Sequence, residues 1–210
     1  MFRNVVDYLL AKYSNDPEND QNNLEMADYY YLHKQYAGAF SFYLRAADRS
    51  ENVDTQYYAL IKGARCLEVP GHRKHTVRTV YGHAITICPN RPEAYYFLSR
   101  NYEWSQDWVA SYTYANLGLM LSTGDKDPKL LNIEEYPGKH GLIFQKAIAA
   151  WWWGKCTESR DLHKELIENY FSILDGQYLA AIVNNFGIVY KKQYPIITKV
   201  PTIITEAKDG

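Results

Sequence analysis

Residues 27–46, ADYYYLHKQYAGAFSFYLRA, decide the fold, because their spacing of small and aromatic side chains returns in 99–118, SRNYEWSQDWVASYTYANLG, and in 147–166, AIAAWWWGKCTESRDLHKEL. The recurring positions are Ala27, Tyr30, Tyr36, Ala39, Tyr43 and Ala46; then Ser99, Tyr102, Trp108, Ser111, Ala115 and Gly118; then Ala147, Ala150, Cys156, Ser159, His163 and Leu166. Within each half of a copy the steps are three and four residues, which keep the side chains on one helical face; the step of six between the halves leaves room for a tight turn. Each copy reads as a helical hairpin whose small residues let the two axes approach closely. Hairpins of this kind bury their apolar faces against their neighbours in a stacked array.

Working outward, a unit of about 34 residues resembles the tetratricopeptide repeat. The resemblance predicts an all-α, right-handed superhelical solenoid of about four hairpins, over 23–50, 55–89, 92–121 and 142–170, within a repeat domain spanning 1–190. Val5, Val6, Leu9, Leu10 and Tyr13 share a helical stripe that suits an N-terminal capping helix, and a helix over about 177–190 closes the other end. Between them the polar run 14–23 around Pro17 reads as a loop, with the first hairpin starting near Asn23. Repeat two carries a long turn, Glu68-Val69-Pro70-Gly71-His72, and Pro89 and Pro92 bracket the start of repeat three. The insertion 122–141, with Gly124, Pro128, Pro137, Gly138 and Gly141, is long enough to be a functional or packing element. From 191 to 210 the composition turns to Pro and β-branched residues, which predicts an extended tail or linker.

The 23 basic residues against 24 acidic ones argue against bulk attachment to nucleic acid or an anionic membrane. Twenty tyrosines and five tryptophans tilt the reading towards recognition, because these rings offer large rigid contact area with a polar handle. Three dispersed cysteines, Cys66, Cys88 and Cys156, form neither a disulfide framework nor a metal-ligand spacing, which suits a reducing compartment. With no apolar run of about 18 residues and no secretion-signal core in 1–16, the expected location is the cytoplasm.

Four stretches resemble, more narrowly, the tetratricopeptide segment that accompanies phage and bacterial glycosyltransferases and related sugar-modifying proteins. They are Tyr36 to Ala47, Arg91 to Arg100, Tyr136-Pro137-Gly138-Lys139 with Trp151-Trp152-Trp153-Gly154, and Asn184-Asn185. This resemblance implies an accessory module whose partner is a glycan-modifying enzyme or its acceptor. No nucleotide-binding or metal-holding pattern accompanies it, so catalytic residues, metal and cofactor are all expected to be absent.

In tetratricopeptide arrays the first helix of each hairpin lines a concave groove. Carried over residue by residue, the resemblance places Tyr31, Tyr58, Lys62, Arg65, Tyr96, Arg100, Trp104, Trp151 and Trp152 in that groove. Arginines, lysine and aromatics interleaved in this way suit an acidic peptide or a stacked sugar ring, while the same aromatics at helical spacing also suit a core. The carboxylate-clamp residues of chaperone-tail binders are missing from the matching positions. Consecutive helical residues project about 100° apart, so Trp151, Trp152 and Trp153 cannot all be buried on one side. Tyr136 and Pro137 of the insertion are the expected cover. Two further readings stand beside the non-catalytic interaction scaffold: a divergent fragment of a glycosyltransferase that contacts donor or acceptor, and a self-associating homo-oligomer.

Overall fold

In the computed structural model, which describes residues 4–71, 73–122, 133 and 135–186, each copy of the spacing folds as two helices joined by the same turn. The helices are α1 (Val5–Asn15), α2 (Asp20–Leu32), α3 (Tyr36–Arg49), α4 (Val53–Glu68), α5 (Lys74–Ile87), α6 (Glu93–Glu103), α7 (Trp108–Leu121), α8 (Lys139–Trp152), α9 (Cys156–Tyr170) and α10 (Gly176–Asn184). A 3-10 turn, Phe171–Ile173, follows α9, and no strand occurs among the described residues. None of these helices is long and apolar enough to cross a membrane.

The six-residue step of the sequence pattern is a left-handed turn. Lys34 (φ 59°), Gln106 (φ 58°) and Gly154 (φ 86°) each stand two residues before the second helix of a hairpin. The next backbone N–H, of Gln35, Asp107 or Lys155, donates to the carbonyl of Tyr30, Tyr102 or Ala150 at 2.9, 3.0 and 2.8 Å. These bonds satisfy carbonyls that the end of the first helix would otherwise leave without a partner.

Helix starts follow equally local chemistry. Asn4, Asn19, Asn52, Asp107 and Asp175 each accept from backbone N–H groups of the first turn. This explains the one shifted boundary near the N-terminus: the polar run read as a loop to Asn23 contains a cap, Asn19, and α2 therefore begins at Asp20. Buried Asn23 secures the turn by donating to the carbonyls of Pro17 and Asn19, at 2.8 and 2.7 Å.

The small residues meet inside the hairpins. Ala27, Ala39, Ser99, Ser111, Ala147 and Ser159 are all fully buried. The two pairs that contain serine also hydrogen-bond, Ser99 Oγ donating to the Ser111 carbonyl at 2.8 Å and Ser159 Oγ to the Ala147 carbonyl at 2.7 Å. At Gly118 the next helix comes so close that a Cβ would lie 2.8 Å from Leu142 Cδ2. Consecutive helices pack on one another from α1 to α9, and α6 also reaches α8.

Burial divides into two clusters. The first runs from Ala27 to Leu142 through Tyr43, Tyr57, Ile61, Tyr81 and Phe97; the second gathers Ile143, Phe144, Trp151, Leu166, Ile167, Leu174, Ile182 and Phe186. In the second, α10 docks Tyr178 edge-on against Phe144, with ring centroids 5.0 Å apart. The closing helix expected over 177–190 is thus present as α10, while its last part and the tail at 191–210 lie outside the described residues.

Two measurements check this account. A Cβ at Gly154 would meet nothing within 4 Å, so Gly154→Ala tests backbone conformation alone and lowers the unfolding free energy by about 1 kcal/mol in a denaturant titration. Burial pushes the His163 imidazole down to about 4, with the backbone contact to Ser159 a weaker opposing influence. The unfolded chain takes up that proton near pH 6.5 and the folded chain only near 4, so stability is complete above pH 6.5 and falls as the pH drops through that interval. His163→Leu flattens the fall, which amounts to about 3 kcal/mol in wild type.

Candidate functional site

Three first helices present one continuous face, and the segment that leads into α8 lies across it. From α2, the Tyr31 hydroxyl donates to Glu135 Oε1 at 2.9 Å. From α4, Lys62 Nζ reaches the same oxygen at 3.5 Å and stands 4.1 Å from the centre of the Tyr31 ring. From α6, Tyr96 meets the Tyr136 ring edge-on at 5.5 Å. Burial alone would raise the Glu135 pKa, but the Lys62 charge, a backbone hydrogen bond, the Tyr31 hydroxyl and Arg65 outweigh it and hold the carboxyl below its ordinary value.

Further along the face, two arginines share one buried carboxylate. Arg65 pairs with Glu68 three residues on, Arg100 Nη2 reaches Glu68 Oε2 at 3.3 Å, and Asn101 donates to Oε1 at 3.5 Å. Both guanidinium carbons lie 5.5 Å from the Phe97 ring centre, and Arg100 is also 4.8 Å from the Trp104 ring. Trp104 itself is 53% exposed. Among the described residues the face thus holds three cations, Lys62, Arg65 and Arg100, paired with Glu68 and Glu135, and Glu103 also feels the Arg100 charge.

Six of the nine residues singled out from the sequence meet here: Tyr31, Lys62, Arg65, Tyr96, Arg100 and Trp104. Tyr58 stands behind them, 9% exposed, with its hydroxyl committed to Asp28 at 3.1 Å alongside Tyr43 at 2.6 Å. It supports Tyr31 through the Tyr43 ring and has no free groove surface. The two tryptophans part company with the face. Trp151, 3% exposed, belongs to the second core cluster, because its position in α8 points into the stack. Trp152, 41% exposed, stacks on Trp108 of α7 at 5.6 Å, and Trp153 meets Tyr112 at 5.0 Å. The expected cover of the Trp run is accordingly corrected: Tyr136 packs on Tyr96, and α7 supplies the rings beside Trp152 and Trp153.

Burial pushes the Cys66 thiol up to about 12, which keeps it protonated and poorly nucleophilic at neutral pH. Among the described residues no group of three or more His, Cys, Asp or Glu side chains is placed to hold a metal ion. What the arrangement can do is bind, through directed donors, cations and ring faces.

Sequence reasoning missed Glu68 and Glu135 as acidic partners of the face. A signal for the second was present: an acidic pair, Glu134-Glu135, precedes Tyr136 in an insertion within an array whose predicted groove is basic. The pairing is open to a double-mutant cycle. Glu135→Gln and Lys62→Met are expected to couple by about 1 kcal/mol at pH 7, as suits a partly buried pair. Because the Glu135 pKa is lowered in the folded state, its contribution is present above the unfolded value and lost as pH falls below about 4, where wild type and Glu135→Gln converge.

No family model matches the sequence, and no curated protein matches it. Among solved structures the chain is similar to pilF of Pseudomonas aeruginosa, with a TM-score of 0.59 at 11% sequence identity, over 79% of this chain and 67% of that one. That protein contains tetratricopeptide repeats, and at this identity the likeness is one of fold. Among the described residues the chain has an all-helical, tetratricopeptide-like repeat fold.

Proposed function

We propose that the chain is a non-catalytic interaction module: a right-handed solenoid of four tetratricopeptide-like hairpins whose concave face, built by α2, α4, α6 and α8, holds a segment of a protein partner. The observation that carries this reading is the convergence of Tyr31, Lys62 and Tyr96, from three separate helices, on the single non-helical stretch Glu135–Tyr136. A face that already seats a piece of extended chain has the donors, cations and rings to seat another.

A narrower form of the proposal makes the partner a glycan-modifying enzyme or its acceptor, and its support is the sequence resemblance alone. The motif behind that resemblance has work to do in the fold. Gly138 adopts a φ of 106° just before α8, and a Cβ on Gly141 would lie 2.2 Å from Pro137 Cγ. Tyr136-Pro137-Gly138-Lys139 is therefore also the way into α8.

The test is selection from a random peptide display library on the full chain, followed by titration of the selected peptides. Lys62→Met and Trp104→Ala are expected to weaken binding at least tenfold, and raised salt to weaken it further. Trp104 is largely exposed, so its replacement leaves the melting temperature nearly unchanged. Selected peptides indifferent to both substitutions, or no selected peptides, would overturn the reading.

A further inference from the structure

We infer that this face is selective for a segment carrying a carboxylate followed by a tyrosine, and that Glu135–Tyr136 occupies it as an internal stand-in for such a partner segment. The inference rests on the reading of the face as a recognition site and specifies what it recognises.

Charge supplies the first argument. With Glu135 removed, Lys62, Arg65 and Arg100 outnumber Glu68 and Glu103, the carboxylates beside them among the described residues, and an excess of cations on one face favours an anionic occupant. Geometry supplies the second. One oxygen of Glu135 takes donors from two helices, while the ring that follows it, 2% exposed, packs on Tyr96 of a third. The seat therefore reads two consecutive side chains of different chemistry, an acid and then an aromatic, at a fixed separation. Tyr178 of α10 also lies close to Tyr96.

The third argument is unused bonding capacity. Glu135 Oε2 and the Nε atoms of Arg65 and Arg100 are buried, and none has a hydrogen-bond partner among the described residues. The internal segment thus fills the seat without exhausting it. A partner segment whose carboxylate engages both Lys62 and Arg65 gains what Glu135 leaves unmade. Its obstacle is competition, because a tethered occupant acts at a local concentration on the order of millimolar.

The experiment supplies the segment in trans. Fluorescently labelled LNIEEYPG, the sequence of residues 131–138, is titrated by anisotropy into wild type, Glu135→Gln, and the double variant Glu135→Gln, Tyr136→Ala, each checked for helicity by circular dichroism. Both variants are expected to bind at least tenfold more tightly than wild type. The gain should vanish when Lys62→Met is added, and also when the glutamate before the peptide's tyrosine is replaced by glutamine. Should the double variant fail to fold, the single variant, which keeps Tyr136, decides alone. Unchanged affinity in the folded variants, or a gain indifferent to Lys62, overturns the inference. The peptide selection described above separates the two ideas: selected peptides that need Lys62 and Trp104 but lack an acid–tyrosine pair sink the selectivity and leave the recognition face standing, whereas failure of both experiments removes both.

Discussion

The close contact between small residues inside each hairpin is the constraint on which the rest of the molecule depends. Ala27 with Ala39, Ser99 with Ser111 and Ala147 with Ser159 leave no side-chain bulk between the paired helices, and larger residues there would push the axes apart. Where serine takes the place of alanine, its hydroxyl is turned onto the facing carbonyl, so polarity enters the contact without an unpaired donor. In the three hairpins closed by the left-handed turn, and in α4–α5 with its longer connection, the first helix lies on the same side. Tyr31, Lys62 and Tyr96 come together from sixty-five residues of sequence because that geometry is repeated, as the numbering from 31 to 96 shows.

The parts of the fold that repeat are the parts that could be read from residues alone. The recurring spacing located the hairpins, and the change of step within it located the turns that the structure closes at Lys34, Gln106 and Gly154. The start of α2 was misplaced because asparagine and aspartate serve both loops and caps, and only the bond that the Asn22 N–H donates to Asn19 Oδ1 tells the two apart. At the candidate site, the positions carried over from the tetratricopeptide resemblance include six side chains that share one face, yet such positions say nothing of what lies across it. Trp151 and Trp152 show the complementary failure. Neighbouring indoles are equivalent in composition, and their separation into core and surface depends on how α8 is rotated against α7 and α9.

The face combines two modes of electrostatics. Around Glu68 the charges are closed in among aromatic rings, with Phe97 flanked by two guanidinium groups, an arrangement that holds side chains rigidly and makes each of them costly to remove. Around Glu135 the pairing is looser and nearer solvent, with a lysine in place of arginine and a single shared oxygen. Rigid cations beside an exchangeable acid form a surface whose shape is set before anything binds, which limits the conformational entropy lost on binding.

The hydrogen bond between Tyr31 and Glu135 joins residues 104 apart in sequence, in a fold whose helices pack chiefly on their neighbours along the chain. In an array held only by adjacent units, each hairpin melts with a free energy of its own and the ends know nothing of each other. A fastening between the first hairpin and the approach to the last closes that open chain into a ring of contacts. Separating the first hairpin from the approach to α8 then has to break the fastening as well, which couples by about 1 kcal/mol two units that do not adjoin in sequence.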